Sequence, residues 1–256
     1  MEIRVLGAHN SESTTTSCVT LLIDEKLAIE AGGLTSRLTV EEQNKLDAIV
    51  ITHNHMDHVR DIPTLALNFY RRSACIDIYS TAHVCGSIKE HMLNSEMYPE
   101  FHVIPKKKPT VNFLEVEPLG LQWIDGHSVL PVPVNHEGDA VGYLISDRQN
   151  KSVFFTGDTG PDLAECWKHI TPQLLIIDVT QSNKNEEYAR QTRHLTPRLL
   201  EAELLKFREI HGYIPAVLSI HMDATQEAQI RSELHEVEQH LHTEINMAYE
   251  EMCLAV

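Results

Sequence analysis

The segment Thr52-His53-Asn54-His55-Met56-Asp57-His58 constrains this chain more than any other feature. Three imidazoles and a carboxylate fall between positions 53 and 58, directly after the apolar run Ala48-Ile49-Val50-Ile51. Side chains alternate along a strand and its extension, so His53, His55 and Asp57 are expected on one side and His58 on another. One cation takes three or four such donors. Four donors in two sets read as the start of a site for two cations.

The remaining ligands must come from other parts of the chain. His136 follows the strand-like run Val129-Leu130-Pro131-Val132-Pro133-Val134. Asp158 lies in the turn Thr156-Gly157-Asp158-Thr159-Gly160, after Val153-Phe154-Phe155. His221 follows Ala216-Val217-Leu218-Ser219-Ile220. Each is a short apolar run that ends in His or Asp. Strand ends from one sheet edge converge, and sites collect there on rigid supports. A lone His after a strand is ordinarily a hydrogen-bonded structural residue. The combination with residues 53–58 is what points to metal.

The order His-x-His-x-Asp-His, a distant His, a Gly-Asp turn and a final His resembles the metallo-β-lactamase-fold hydrolases along the whole chain. The resemblance implies one α/β domain over residues 1–256, a four-layer αβ/βα sandwich with the site at one edge between two sheets. It implies that His53, His55 and His136 hold one metal, that Asp57, His58 and His221 hold the other, and that Asp158 bridges them. The cofactor is then a pair of divalent ions. Zinc is expected from the imidazole-rich set, with manganese or iron as alternatives because carboxylates contribute. Two departures stand out. Glu30-Ala31-Gly32-Gly33 replaces the family's Asp-Ala-Gly, and Arg60 and Asp61 stand where glycines are frequent. The second change bears on the mouth of the site and on substrate specificity.

Thr192-Arg193-His194-Leu195-Thr196-Pro197 adds a further likeness. It resembles the loop that phosphodiesterase branches of this superfamily place over their metals. His-Leu-Thr-Pro matches the class II cyclic-nucleotide phosphodiesterases, and the tRNA 3′-processing endonucleases carry a related His-Ser-Thr. The similarity implies that His194 contacts the scissile phosphate or protonates the leaving oxygen. Thr196 and the helix start behind it would assist, since exposed helix amides bind anions. His9, in the loop after the first strand, is a further candidate substrate contact. Asp57, Asp158 and His194 are the expected catalytic residues. The expected reaction is hydrolysis of a small cyclic nucleotide by a hydroxide shared between the metals. The alternatives are a thioesterase or lactonase, a tRNA 3′-processing type of endonuclease, and a metal-binding sensor or scaffold.

Composition narrows the partners. With 256 residues, 42% of them hydrophobic, the chain can build a sizeable core. No apolar run approaches the roughly 18 residues of a membrane span, and no secretory signal is visible. Five scattered cysteines suit reduced thiols in the cytoplasm rather than a disulfide framework. A net charge of −16 disfavours long nucleic acid, whose affinity comes from neutralised phosphates. A small anionic substrate remains compatible, because bound cations make the pocket locally positive.

The periodicities predict helices from Thr39 to Leu46, over 62–70 and 81–93, and from Thr196-Pro197 to Gly212, with strands elsewhere and across residues 245–256. The last helix carries Ile230, Leu234, Val237 and Leu241 at helical spacing. That stripe is read as core packing, with a homodimer contact as the alternative.

Overall fold

Alternating burial along short strands builds the molecule. In the computed structural model, which describes residues 1–256, fourteen strands form two mixed seven-stranded sheets. The first contains β1 (Glu2–Gly7), β2 (Thr20–Ile23), β3 (Leu27–Ile29), β4 (Ala48–Val50), β5 (Ile76–Ser80) and β6 (Val111–Glu115), side by side in that order. The second contains β7 (Gln122–Ile124), β8 (His127–Pro133), β9 (Val141–Ser146), β10 (Ser152–Phe155), β11 (Leu174–Asp178), β12 (Ala216–Ile220) and β13 (Ile245–Met247), again in order. The last strand, β14 (Cys253–Ala255), returns to the first sheet against β1. In each sheet the early strands pair antiparallel and the later ones parallel.

The helices are α1 (Leu34–Arg37), α2 (Val40–Gln43), α3 (Met56–Val59), α4 (Ile62–Arg71), α5 (Ala82–His91), α6 (Ala164–Trp167), α7 (Glu186–Gln191), α8 (Pro197–His211) and α9 (Glu227–Leu241). Period-two side chains sort strand residues into two layers. Leu21 and Ile23, with Ala48 and Val50, join one cluster between the sheets; Leu22, Ile49 and Ile51 join another, beneath α1 and α4. Helices thus cover the outer face of each sheet, which gives the expected αβ/βα sandwich. Trp167 marks the second helical layer, edge-on to Phe154 of β10 at 6.4 Å and to Phe207 of α8 at 5.5 Å. Its indole N–H donates to the buried Glu203 carboxylate. The α9 stripe is buried in the same cluster, so it packs within the chain. No helix is long and apolar enough to cross a membrane.

Caps set several helix ends as expected. Thr39 and Glu42 form a reciprocal capping box at α2. Gly212 ends α8 at φ 79°, a left-handed conformation that favours glycine. Two expectations fail. The helix begun at Thr39 stops at Gln43 rather than Leu46. Residues 245–256 form two strands in different sheets, joined by a crossing segment around Tyr249. Apolar alternation alone cannot report which sheet a strand joins.

Candidate metal centre

The carboxyl ends of β4, β8, β10, β11 and β12 meet at one edge of the sandwich. Parallel pairing aligns the ends of β10, β11 and β12, and open α/β sheets place their sites beyond such ends. His53 and His55 follow β4, His136 follows β8, Asp158 follows β10, and His221 follows β12 at φ 66°. The strand feeding the first motif stops at Val50, and α3 begins at Met56. Asp57 and His58 therefore leave a helical turn as sequence neighbours about 100° apart. The expected strand-like alternation does not extend to them, yet two sets of donors still result.

In the first set, His53, His55, His136 and Asp158 bring one donor atom each within 4.8 Å of one another. His53 Nε2 lies 3.6 Å and His136 Nε2 3.8 Å from Asp158 Oδ2, and His136 Nε2 lies 3.4 Å from His55 Nδ1. In the second set, His58 Nε2 lies 3.2 Å and His221 Nε2 3.3 Å from Asp158 Oδ1. Asp57 Oδ2 is 3.5 Å from His58 Nε2 and 3.2 Å from His221 Nε2. Each Asp158 oxygen thus faces a different set.

These spacings decide whether a cation fits. Ligand bonds of about 2.1 Å in tetrahedral array place donor atoms roughly 3.4 Å apart. The observed separations fall on either side of that value. Moreover, His53 Nε2, His58 Nε2 and Asp158 Oδ1 are buried without any hydrogen-bond partner. Leaving such atoms orphaned is costly, and a cation shared by each set satisfies them.

In His53, His136 and His221 the other ring nitrogen is already hydrogen-bonded, which fixes the tautomer. Thr52 donates its hydroxyl to Glu30, so His53 Nδ1–H donates to Thr52 Oγ1 at 3.0 Å. Glu30 is fully buried at φ 64°, and its carboxylate also reaches His58 Nδ1 at 3.3 Å. That left-handed backbone turns the longer side chain between Thr52 and His58. His136 Nδ1–H donates to the Arg193 carbonyl at 3.1 Å. Thr180 donates to Asp178 Oδ1 at 2.7 Å and accepts from His221 Nδ1 at 2.7 Å. Gly157 has φ 62°, and a Cβ there would lie 2.6 Å from Thr52 Oγ1, so the turn before Asp158 requires glycine.

Burial alone would raise the Asp158 carboxyl, but His221, His58 and His53 around it hold it well below the usual carboxylate range. Burial, followed by the charge of His58, pushes His53 well below the ordinary imidazole value. These directions favour carboxylate and neutral imidazole, whereas His58, despite its burial, is held on the protonated side by Asp158 and Glu30, so a cation there must displace its proton.

His194 stands between the sets, with its ring centroid 5.3 Å from His136 and 5.4 Å from His221. Its Nδ1 donates to Asp178 Oδ2 at 2.6 Å. Burial opposes its charge, but Asp178 overcomes this and raises it to about 9. Sequence reading missed Asp178. It ends β11 in the same way that Asp158 follows β10, and that shared pattern was the available signal. Asp178 holds His194 directly and His221 through Thr180. Asp178→Asn is expected to lower turnover by about 10–100-fold, read as kcat at saturating metal. Wild-type kcat would remove that role.

Two expected substrate contacts lie elsewhere. Thr196 is fully buried, and its hydroxyl accepts from Leu199 N–H as the α8 cap. His9 is buried between Glu250, 2.7 Å from its Nδ1, and Glu227, 3.6 Å from its Nε2. Neither residue lines the open cavity of about 420 Å³ above the cluster. Asn10, Glu12 and Arg60 line it instead, together with His194.

A two-sheet sandwich with paired His/Asp sets at its edge is an arrangement suited to holding divalent cations. Residues 21–237 match the β-lactamase superfamily domain, and the chain belongs to that family. Over 191 residues it is 23% identical to a 3′,5′-cyclic-nucleotide phosphodiesterase of Aliivibrio fischeri, which covers 66% of this chain but only 56% of that relative. Over 226 residues it is 25% identical to a ribonuclease Z of Methanococcus maripaludis, covering 70% of this chain and 72% of the relative. The solved structure of unliganded yeast PDE1 superposes with a TM-score of 0.81 at 16% identity, covering 100% of this chain and 99% of that one. That likeness is one of fold.

Proposed function

We propose that this chain is a dinuclear metal-dependent phosphodiesterase that acts on a small cyclic nucleotide. The observation that carries the reading is Asp158, whose two oxygens face separate donor sets while His194 lies against one ring of each. Zinc is the proposed cation, since five of the seven donor residues are imidazoles. Two such ions, once held by these residues, would supply Lewis acidity to the reaction. The protein's own residues do the rest. Asp57 and Asp158 bring negative charge to the cluster. Asp178 fixes His194 through Nδ1, which leaves Nε2 to donate a proton to the leaving oxygen.

Several observations support a small phosphodiester. The cavity falls within the usual range of small-molecule sites, about 300–1,000 Å³. Two relatives bear the name cyclic-nucleotide phosphodiesterase. Against a tRNA-sized substrate, the net charge is −16, and residues 137–157 hold only the β9–β10 hairpin, with no protruding arm. A thioesterase or lactonase has no evident use for the His194–Asp178 pair. A scaffold has no need of seven converging donors. All five cysteines are free, which accords with a cytoplasmic setting.

His194→Ala tests the reaction. It is expected to retain bound metal while turnover of 3′,5′-cyclic AMP, whose alkoxide leaving group needs a proton, falls by about 10²–10⁴-fold. An unchanged rate removes His194 from the chemistry. Wild-type protein that cleaves a chromogenic thioester but no phosphodiester would sink the reading itself.

A further inference from the structure

The cavity has a second half that the reaction above leaves unused. Glu12, Met56 and Arg60 line it beside the His/Asp sets, and Arg60 is its sole Lys or Arg. Arg60 closes α3, with its backbone N–H donating to the Met56 carbonyl at 2.9 Å. The guanidinium is thus rooted on the turn that carries Asp57 and His58. Its Nη2 meets Glu12 Oε2 at 2.7 Å, and its buried Nε lies 3.5 Å from Asp61 Oδ1. Glu12 Oε2 also accepts from the Cys18 N–H at 3.4 Å, which leaves Oε1 available. Met56 is 63% exposed on an otherwise polar wall.

Glu12 and Asp61 together more than balance the Arg60 charge, so this half offers no surplus cation to a second phosphate. It offers instead a donor edge, an acceptor edge and an apolar, polarisable side chain. A nucleobase is the complement of that set: its rim alternates donors and acceptors, and its faces suit a thioether. Guanine uses the most of it. Its O6 and N7 accept from a guanidinium, and its N1–H and N2–H₂ donate to a carboxylate. Adenine offers one amino donor beside a ring acceptor.

We propose that Glu12, Met56 and Arg60 form a nucleobase subsite that favours guanine. The proposal rests on the phosphodiesterase reading above, which places the phosphate at the metals. A plain staple between the loop at Glu12 and α3 would be blind to the base.

Equilibrium binding to zinc-loaded protein, measured by calorimetry with 5′-GMP, 5′-AMP and ribose 5-phosphate, separates the two. 5′-GMP is expected to bind at least about tenfold more tightly than ribose 5-phosphate, with 5′-AMP between them. In Arg60→Met and in Glu12→Gln that advantage is expected to shrink to within about threefold. The wild-type comparison stands even if a variant fails to fold. Equal binding of 5′-GMP and ribose 5-phosphate, no binding of 5′-GMP, or an advantage that survives both substitutions overturns the subsite. 5′-AMP binding as tightly as 5′-GMP overturns the guanine assignment. Hydrolysis of bis(p-nitrophenyl) phosphate by the same wild-type preparation reads the reaction separately. Its presence without base preference defeats the subsite alone, and its absence with base preference intact defeats the phosphodiesterase reading alone.

Discussion

Asp158→Ala is expected to lose the metal pair and the activity together. The carboxylate is the one group that both donor sets share, and it sits among His53, His58 and His221 with only 3% of its surface exposed. Removing it leaves three donors on each side but takes away the negative charge between five clustered imidazoles. Each cation would then gain less from its site, and the repulsion between the two would no longer be offset by a carboxylate from the protein. Bound metal is expected to fall from about two ions to fewer than about one per chain, by elemental analysis. Phosphodiester turnover is expected to fall by on the order of 10³-fold or more. Retention of full activity would refute the bridge.

Gly32→Ala is expected to have a large effect on stability. A Cβ at this position would lie 2.0 Å from the Asp57 carbonyl oxygen, 2.9 Å from the Val19 carbonyl oxygen and 2.7 Å from Cys18 Cβ. Two of these neighbours are backbone, so no flexible side chain can yield. The α3 turn must move, and Asp57 and His58 move with it. Overpacking of this kind costs about 1–3 kcal/mol or more, which corresponds to a fall in Tm of roughly 2–12 °C. Metal affinity should fall as well, because two ligands share the displaced turn. Gly33→Ala is the control: its nearest contact would be 3.3 Å, so a much smaller change is expected. A Gly32→Ala protein with wild-type Tm and metal content would show that the turn is not held as described.

The strands were legible because each is a short apolar run whose alternate residues enter different layers, as Leu21, Leu22 and Ile23 do. The two donor sets were legible because chemistry crowds them into residues 53–58 and repeats a strand-then-ligand pattern at His136, Asp158 and His221. The failures have physical causes of their own. A four-residue helix such as α3 has too few turns to show periodicity, and the ligand motif itself occupies this one. Thr196 before Pro197 suits a cap and an anion contact equally well in sequence; only its complete burial decides for the cap. His9 is captured by Glu227 and Glu250, which lie more than 200 positions away, so no local pattern announces it. Arg60 was visible as a departure from glycine, but its pairing with Glu12 depends on how the loop after β1 folds over α3.

Anomalous diffraction from crystals of the zinc-loaded protein, recorded at the metal edge, tests the central claim most directly. Two peaks are expected, one among His53, His55 and His136 and the other among Asp57, His58 and His221, with the Asp158 carboxylate between them. A single peak, or zinc bound away from these side chains, would contradict a dinuclear centre at this edge of the sandwich.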